Sequence, residues 1–128
     1  MSAIPYVAAG VLPDTVPTYS LDTVAKGLRV SPSKVLQYIR DGRLIAVRRG
    51  GDLHVPQAFF GEVDGRFAVA KHLAGLLSVL ADGGFTIDEA MRWLFEEQED
   101  LEGGAAPIDV LHTDHAREVI RRAQSLAF

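Results

Sequence analysis

Apolar residues recur along this chain at two spacings, and the change from one to the other marks its elements. Leu21, Val24, Ala25 and Leu28 follow Ser20 at helical intervals, which predicts a short capped helix ending near Leu28, with Gly27 weakening its final turn. Arg29 and Val30 leave room only for a tight turn before Ser31-Pro32, an N-cap followed by proline at the first helical position. The second helix is expected over 32–41, with Val35, Leu36 and Ile39 turned inward and Gly42 ending it in a left-handed cap. Two short strands then flank a Gly50-Gly51 turn, predicting a hairpin over 45–55. Pro56 ends its second strand, and 57–60 form one helical turn that delivers Phe59 and Phe60 to the core.

In the second half of the chain, 61–66 reads as a polar loop and 68–81 as a strongly apolar helix carrying Leu73, Leu76, Leu77 and Leu80. Thr86 and Glu89 form a capping-box pattern ahead of Ala90, Met91, Trp93, Leu94 and Phe95, an aromatic stripe read as core. An acidic segment with Glu96, Glu97, Glu99, Asp100 and Glu102 follows, then a short apolar turn, and Thr113 is expected to cap a last helix bearing Ala116, Val119, Ile120 and Ala123. The fold class is therefore mainly α with a small two-stranded β wing. The organisation is an N-terminal arm over 1–18, expected to be flexible or extended because of its prolines, a winged helix-turn-helix over 19–60, and a helical C-terminal domain over 61–128.

Composition adds limits. With 128 residues and 48% hydrophobic content the chain can bury one real core. The absence of cysteine removes disulfides and thiolate metal sites and suits a reducing cytoplasm. No apolar run approaches the length of a membrane span, so no membrane partner is expected. A net charge of −4 would argue against nucleic acid if it were evenly spread, but it is not. Residues 1–60 carry 7 Lys/Arg against 4 Asp/Glu, whereas 61–128 carry 6 against 13. Within 26–49 all seven N-terminal cations stand beside one acid, Asp41.

That basic run coincides with the predicted helix pair and hairpin, an arrangement that serves DNA because the second helix can enter the major groove while the first braces it. With Val35, Leu36 and Ile39 inward, Ser33, Lys34, Gln37 and Tyr38 face outward, with Arg40 at the flank. Gln37 suits an adenine edge, Lys34 a guanine or phosphate, and Ser33 and Tyr38 phosphate oxygens, although Tyr38 can equally cover the first helix. Arg43 and the wing tip, Arg48 and Arg49, would meet the flanking backbone or an adjacent minor groove, where a narrow A-tract attracts arginine. His54 on the second strand has two readings, a phosphate contact or packing against the wing.

The stretch from Tyr19-Ser20-Leu21 through Val55-Pro56 resembles the winged helix-turn-helix of excisionase and MerR-type proteins, notably in Leu28-Arg29-Val30-Ser31-Pro32-Ser33-Lys34-Val35 and Ile39-Arg40-Asp41-Gly42-Arg43-Leu44. The C-terminal half, through Leu76-Leu77-Ser78-Val79-Leu80, Ala90-Met91-Arg92-Trp93-Leu94-Phe95 and His115-Ala116-Arg117-Glu118-Val119-Ile120, resembles a family of small actinobacterial DNA-binding proteins. The resemblance spans about 18–128. It implies double-stranded DNA as partner, a transcriptional or nucleoid-associated role, and control by a serine/threonine protein kinase acting on the arm, where Thr15 and Thr18 are candidate acceptors.

Other readings are weaker in the residues themselves. No nucleophile with a base, carboxylate pair or phosphate-cradling loop stands out, so neither catalysis nor a cofactor is expected. His112 and His115 lie near Asp109 and Asp114, but capping and solvation account for them without a metal. An alternative is an interaction module of antitoxin type. In that reading Trp93-Leu94, Leu101 with Gly103-Gly104, Pro107-Ile108-Asp109-Val110-Leu111 and the last helix, which resemble the toxin-binding region of some antitoxins, hold a protein partner, and it requires an exposed apolar groove around the last two helices.

Overall fold

A computed structural model describes residues 3–99 and 101–126 of the chain. Met1 and Ser2 of the arm, Asp100 and the Glu102 side chain of the acidic segment, and the last two positions lie outside the described residues. Glu96, Glu97 and Glu99 are exposed.

The elements run β1 (Thr18–Ser20), α1 (Leu21–Leu28), α2 (Pro32–Arg40), β2 (Val47–Arg49), β3 (Asp52–Pro56), a 3-10 turn (Gln57–Phe59), β4 (Phe60–Val63) and β5 (Arg66–Val69). Four helices follow among the described residues, α3 (Leu73–Asp82), α4 (Ile87–Phe95), the single turn α5 (Pro107–Val110) and α6 (Ala116–Leu126). Both helices of the N-terminal unit begin where side chains can satisfy their free amides. The Ser20 hydroxyl accepts from the Thr23 amide and the Ser31 hydroxyl from the Lys34 amide, each at 3.2 Å. Thr86 and Glu89 close a reciprocal capping box on α4, and these bonds hold the Glu89 carboxyl below its ordinary pKa.

The hairpin β2–β3 closes through Gly50 and Gly51, both at positive φ, as a two-residue turn demands. It is tighter than expected: the first strand starts at Val47, and Leu44, Ile45 and Ala46 are instead buried in an irregular approach. It also has a third strand. β1 pairs antiparallel with β3, Tyr19 opposite Val55, to give the order β1-β3-β2.

Two expectations are corrected. Residues 60–69 are not a polar loop running into a helix but a second antiparallel hairpin, β4–β5, turning through Asp64 and Gly65, both at positive φ; α3 starts only at Leu73. This hairpin lies along α1, where Phe67 meets Gly27 so closely that a Cβ on Gly27 would stand 2.6 Å from the ring. Gly27 therefore gives up helix propensity for close approach. The ring cannot easily yield, because it stacks on Phe60 at 5.1 Å and meets Tyr19 edge-on at 5.8 Å. Gly27→Ala gains about 1 kcal/mol of propensity but incurs an overpacking cost of roughly 1–3 kcal/mol. A net destabilisation is expected in urea unfolding; a stabilised variant would mean that Phe67 steps aside freely.

Nor is the N-terminal segment a free arm. Val7, Val11 and Leu12 are buried, the Val7 amide donates to the Ala46 carbonyl at 3.0 Å, and the Ala8 amide donates to Asp88 Oδ1 at 3.1 Å on the first turn of α4. Its apolar residues pair with partners far along the chain, and it reaches them through turns: the Val11 amide donates to the Ala8 carbonyl at 3.2 Å and the Val16 amide to the Pro13 carbonyl at 3.0 Å.

One continuous core joins both halves. Val24, Val35, Ile39, Val55 and Phe59 of the N-terminal unit meet Leu73, Leu76, Leu80, Met91, Leu94, Ile108 and Val119. Phe59, fully buried, lies at the junction, its ring 6.1 Å from that of Phe95 on α4.

Candidate nucleic-acid interface

α2 is held by its inner face. Val35 and Ile39 are buried against α1 and Leu36 is half-buried, which leaves Ser33, Lys34, Gln37 and Arg40 exposed on the other side. At 100° per residue, Ser33, Gln37 and Arg40 fall within an arc of about 60°, with Lys34 on the adjacent stripe. The Ser31 cap and Pro32 fix where the helix starts, and so fix the direction in which these four side chains leave it.

Tyr38 is placed differently from a phosphate ligand in open solvent. Its half-buried ring has Lys34 Nζ 5.5 Å and Arg43 Cζ 5.7 Å from its centroid, and it lines a cavity of about 240 Å³ with Leu28, Val30, Leu44, Val69 and Ala74. The ring supports two cations by attraction to its face, so its part is to position charge.

The wing needs a further correction. Arg48 and Arg49 sit in β2 and not at the tip, and successive residues of a strand leave on opposite faces. Arg48 is exposed; its guanidinium lies 5.3 Å from the Tyr6 ring centroid, and it donates to the Tyr6 hydroxyl at 3.3 Å and the Gly51 carbonyl at 3.2 Å. Arg49 turns back onto the N-terminal segment. It donates to the Asp14 carbonyl at 2.8 Å and the Pro13 carbonyl at 2.9 Å, has the Asp14 carboxylate at 3.9 Å, and its side chain is only 20% exposed. It clamps the arm, a contact that the charge run did not foretell.

The arm threonines also separate. Thr15 is exposed, whereas Thr18 is half-buried in β1 with its hydroxyl 2.9 Å from Nδ1 of His54. That pairing gives His54 a partner inside the sheet. In the C-terminal half Trp93, Leu94, Leu101, Pro107, Ile108, Val110 and Leu111 are all buried, so the residues offered for an antitoxin-type groove form the core. His112 bonds through Nε2 to the Ala58 carbonyl and ties this half to the 3-10 turn. Among the described residues no group of three or more His, Asp or Glu side chains is arranged to hold a metal, and no helix is long and apolar enough to cross a membrane.

A helix pair joined by a tight turn, a polar outer face on the second helix and an adjoining two-residue-turn hairpin define a winged helix-turn-helix protein. Comparison with known families agrees: residues 3–60 match the winged helix-turn-helix domain of "DNA-binding protein Rv2175c", and 70–127 match the "Rv2175c C-terminal domain of unknown function". The chain belongs to the Rv2175c family. It is 45% identical to DNA-binding protein Rv2175c of Mycobacterium tuberculosis, over 92% of this chain and 86% of that protein. The NMR structure of Rv2175c superposes with a TM-score of 0.81 at 44% identity, covering 99% of this chain and 91% of that one.

Proposed function

We propose that this protein binds double-stranded DNA, with α2 entering the major groove and the β2–β3 wing beside it on the backbone, in a transcriptional or nucleoid-associated role in the cytoplasm. One observation carries the reading: Ser33, Lys34, Gln37 and Arg40 are exposed together on the face opposite the locked core stripe of α2. Gln37, centred on that face, reads a base edge; Ser33 and Lys34, in the first turn, contact base or phosphate; Arg40, Arg43 and Arg48 neutralise flanking phosphates. The name of the family and of the mycobacterial relative supports the same reading. Catalysis has no part in it. A serine/threonine kinase, if it acts on the arm, is directed to Thr15, because the Thr18 hydroxyl is already paired within the sheet.

The test is an anisotropy titration of the full chain with mixed-sequence duplex DNA at several salt concentrations. Lys34, Arg40, Arg43 and Arg48 together contribute about −3.6 to the slope of log affinity against log salt, or a loss of at least roughly a hundred-fold between 50 and 200 mM salt. Arg49→Ala should keep that slope, since its side chain faces the arm, while Arg48→Ala should flatten it by about one unit. Salt-independent binding, or a flattening on loss of Arg49 and not of Arg48, would contradict the interface as drawn.

A further inference from the structure

α1 ends in a motif that ordinarily requires glycine. The Val30 amide donates to the Ala25 carbonyl at 3.0 Å and the Arg29 amide to the Lys26 carbonyl at 3.3 Å, the paired bonds of a Schellman cap. The residue between the two helices that closes it, Arg29, stands at φ 60, ψ 43 in the left-handed region. A side chain there crowds its own carbonyl, which is why glycine, and after it asparagine, is the usual occupant. Elsewhere this chain follows the rule: Gly42 after α2 has φ 76 and Gly84 after α3 has φ 91. Asp64, the other non-glycine residue at positive φ among the described residues, is of a type whose short polar side chain tolerates the region. Arg29 has no such excuse.

Among the described residues, no contact of the Arg29 side chain compensates for the strain. The Arg29 side chain is exposed, and among the described residues it makes no hydrogen bond or ion pair. A cation does suit the carbonyl end of a helix, but Lys26 already occupies the last turn of α1. Strain kept at an exposed, unpartnered position is a mark of function outside the fold. Two residues further on, Ser31 caps α2. When the N-terminal turn of such a helix points into the major groove, the turn leading to it comes to the groove edge, where phosphates lie.

We infer that Arg29 is a DNA-backbone contact, held in a strained left-handed cap so that its guanidinium meets a phosphate flanking the entry of α2. The inference rests on the DNA-binding reading above and adds a residue that neither the helical periodicity nor the wing supplies. It predicts opposite signs for stability and binding when the side chain is removed.

The experiment uses the full chain and its Arg29→Gly and Arg29→Lys variants, comparing thermal midpoints and salt-dependent affinity for mixed-sequence duplex DNA. Arg29→Gly should raise the Tm by about 3 °C as the strain is relieved, weaken binding roughly ten-fold near 100 mM salt, and flatten the salt slope by about one unit. Arg29→Lys, with the same backbone and charge, should keep the wild-type Tm and bind within about three-fold of wild type. Wild-type affinity and slope in the glycine variant, a fall in its Tm, or a lysine variant as weak as the glycine one would each overturn the proposal. A wild-type protein that fails to bind DNA at all would instead remove the underlying reading, and this inference with it.

Discussion

Reversing two charges on the outer face of α2, Lys34→Glu with Arg40→Glu, is expected to lower affinity for duplex DNA by more than about a hundred-fold while leaving the fold intact. Each contact between a cation and a phosphate or base contributes roughly 1.5–3 kcal/mol, and a carboxylate in the same place adds repulsion from the phosphates. Both residues are exposed and neither takes part in the core stripe of Val35 and Ile39, so stability should change little. Among the described residues, the contact of Lys34 with the Tyr38 ring is the internal interaction surrendered. The measurement pairs anisotropy with circular dichroism and a thermal scan. A variant that binds within about three-fold of wild type would place the DNA surface elsewhere, whereas one that unfolds would show that the outer face is structural.

The largest effect on stability is expected from Phe59→Ala. Its side chain is fully buried where the 3-10 turn hands over to β4, it packs towards Phe95 of α4, and the neighbouring Ala58 carbonyl is held by His112. Removing a buried phenylalanine costs about 3–5 kcal/mol, a large part of the roughly 5–15 kcal/mol typical of whole domains. Because the ring belongs to a core shared by both halves, the loss should appear as one lowered transition in urea. Two separate transitions, with the C-terminal half unaffected, would mean that the halves fold independently and that the shared core contributes little.

The helix pair was legible because its ends carry local chemistry. Ser20, Ser31-Pro32 and Gly42 each act within one turn of helix, and the structure uses all three as the sequence implies. The Gly50-Gly51 hairpin is local in the same sense. The β4–β5 hairpin is not apparent from the sequence although its signal is present: Asp64-Gly65 is a favoured two-residue turn, but the polar residues around it read as a loop, and the alanines and leucines that follow carry the helical pattern back to Ala68, over the second strand. Leu73 begins the helix only after Val69 has completed the strand.

The arm was not legible, and for a different reason. What fixes Val7 is the carbonyl of Ala46, and what fixes Pro13 and Asp14 is the guanidinium of Arg49. Such pairings span more than thirty residues and leave no periodic trace. The same non-local contact explains why the direction of the Arg49 side chain was not foreseen: a charge run shows where cations are along the chain, not which face of a strand each one leaves from. On α2, by contrast, one face is set by the core, so the positions of Ser33, Lys34, Gln37 and Arg40 followed from periodicity alone. Gly27 and Arg29 were likewise invisible as special positions, since the one matters through Phe67 and the other through its own backbone angles.

The central claim, that α2 with the wing is the DNA surface, is tested most directly by titrating duplex DNA into the ¹⁵N-labelled full chain and following amide and side-chain resonances. The account predicts perturbations concentrated at Ser33, Lys34, Gln37 and Arg40, at Gly50 and Gly51 of the wing tip, and at the turn through Arg29, with α3, α4 and α6 little changed. Perturbations centred on α6 or the acidic segment after α4, or none at low salt, would contradict it.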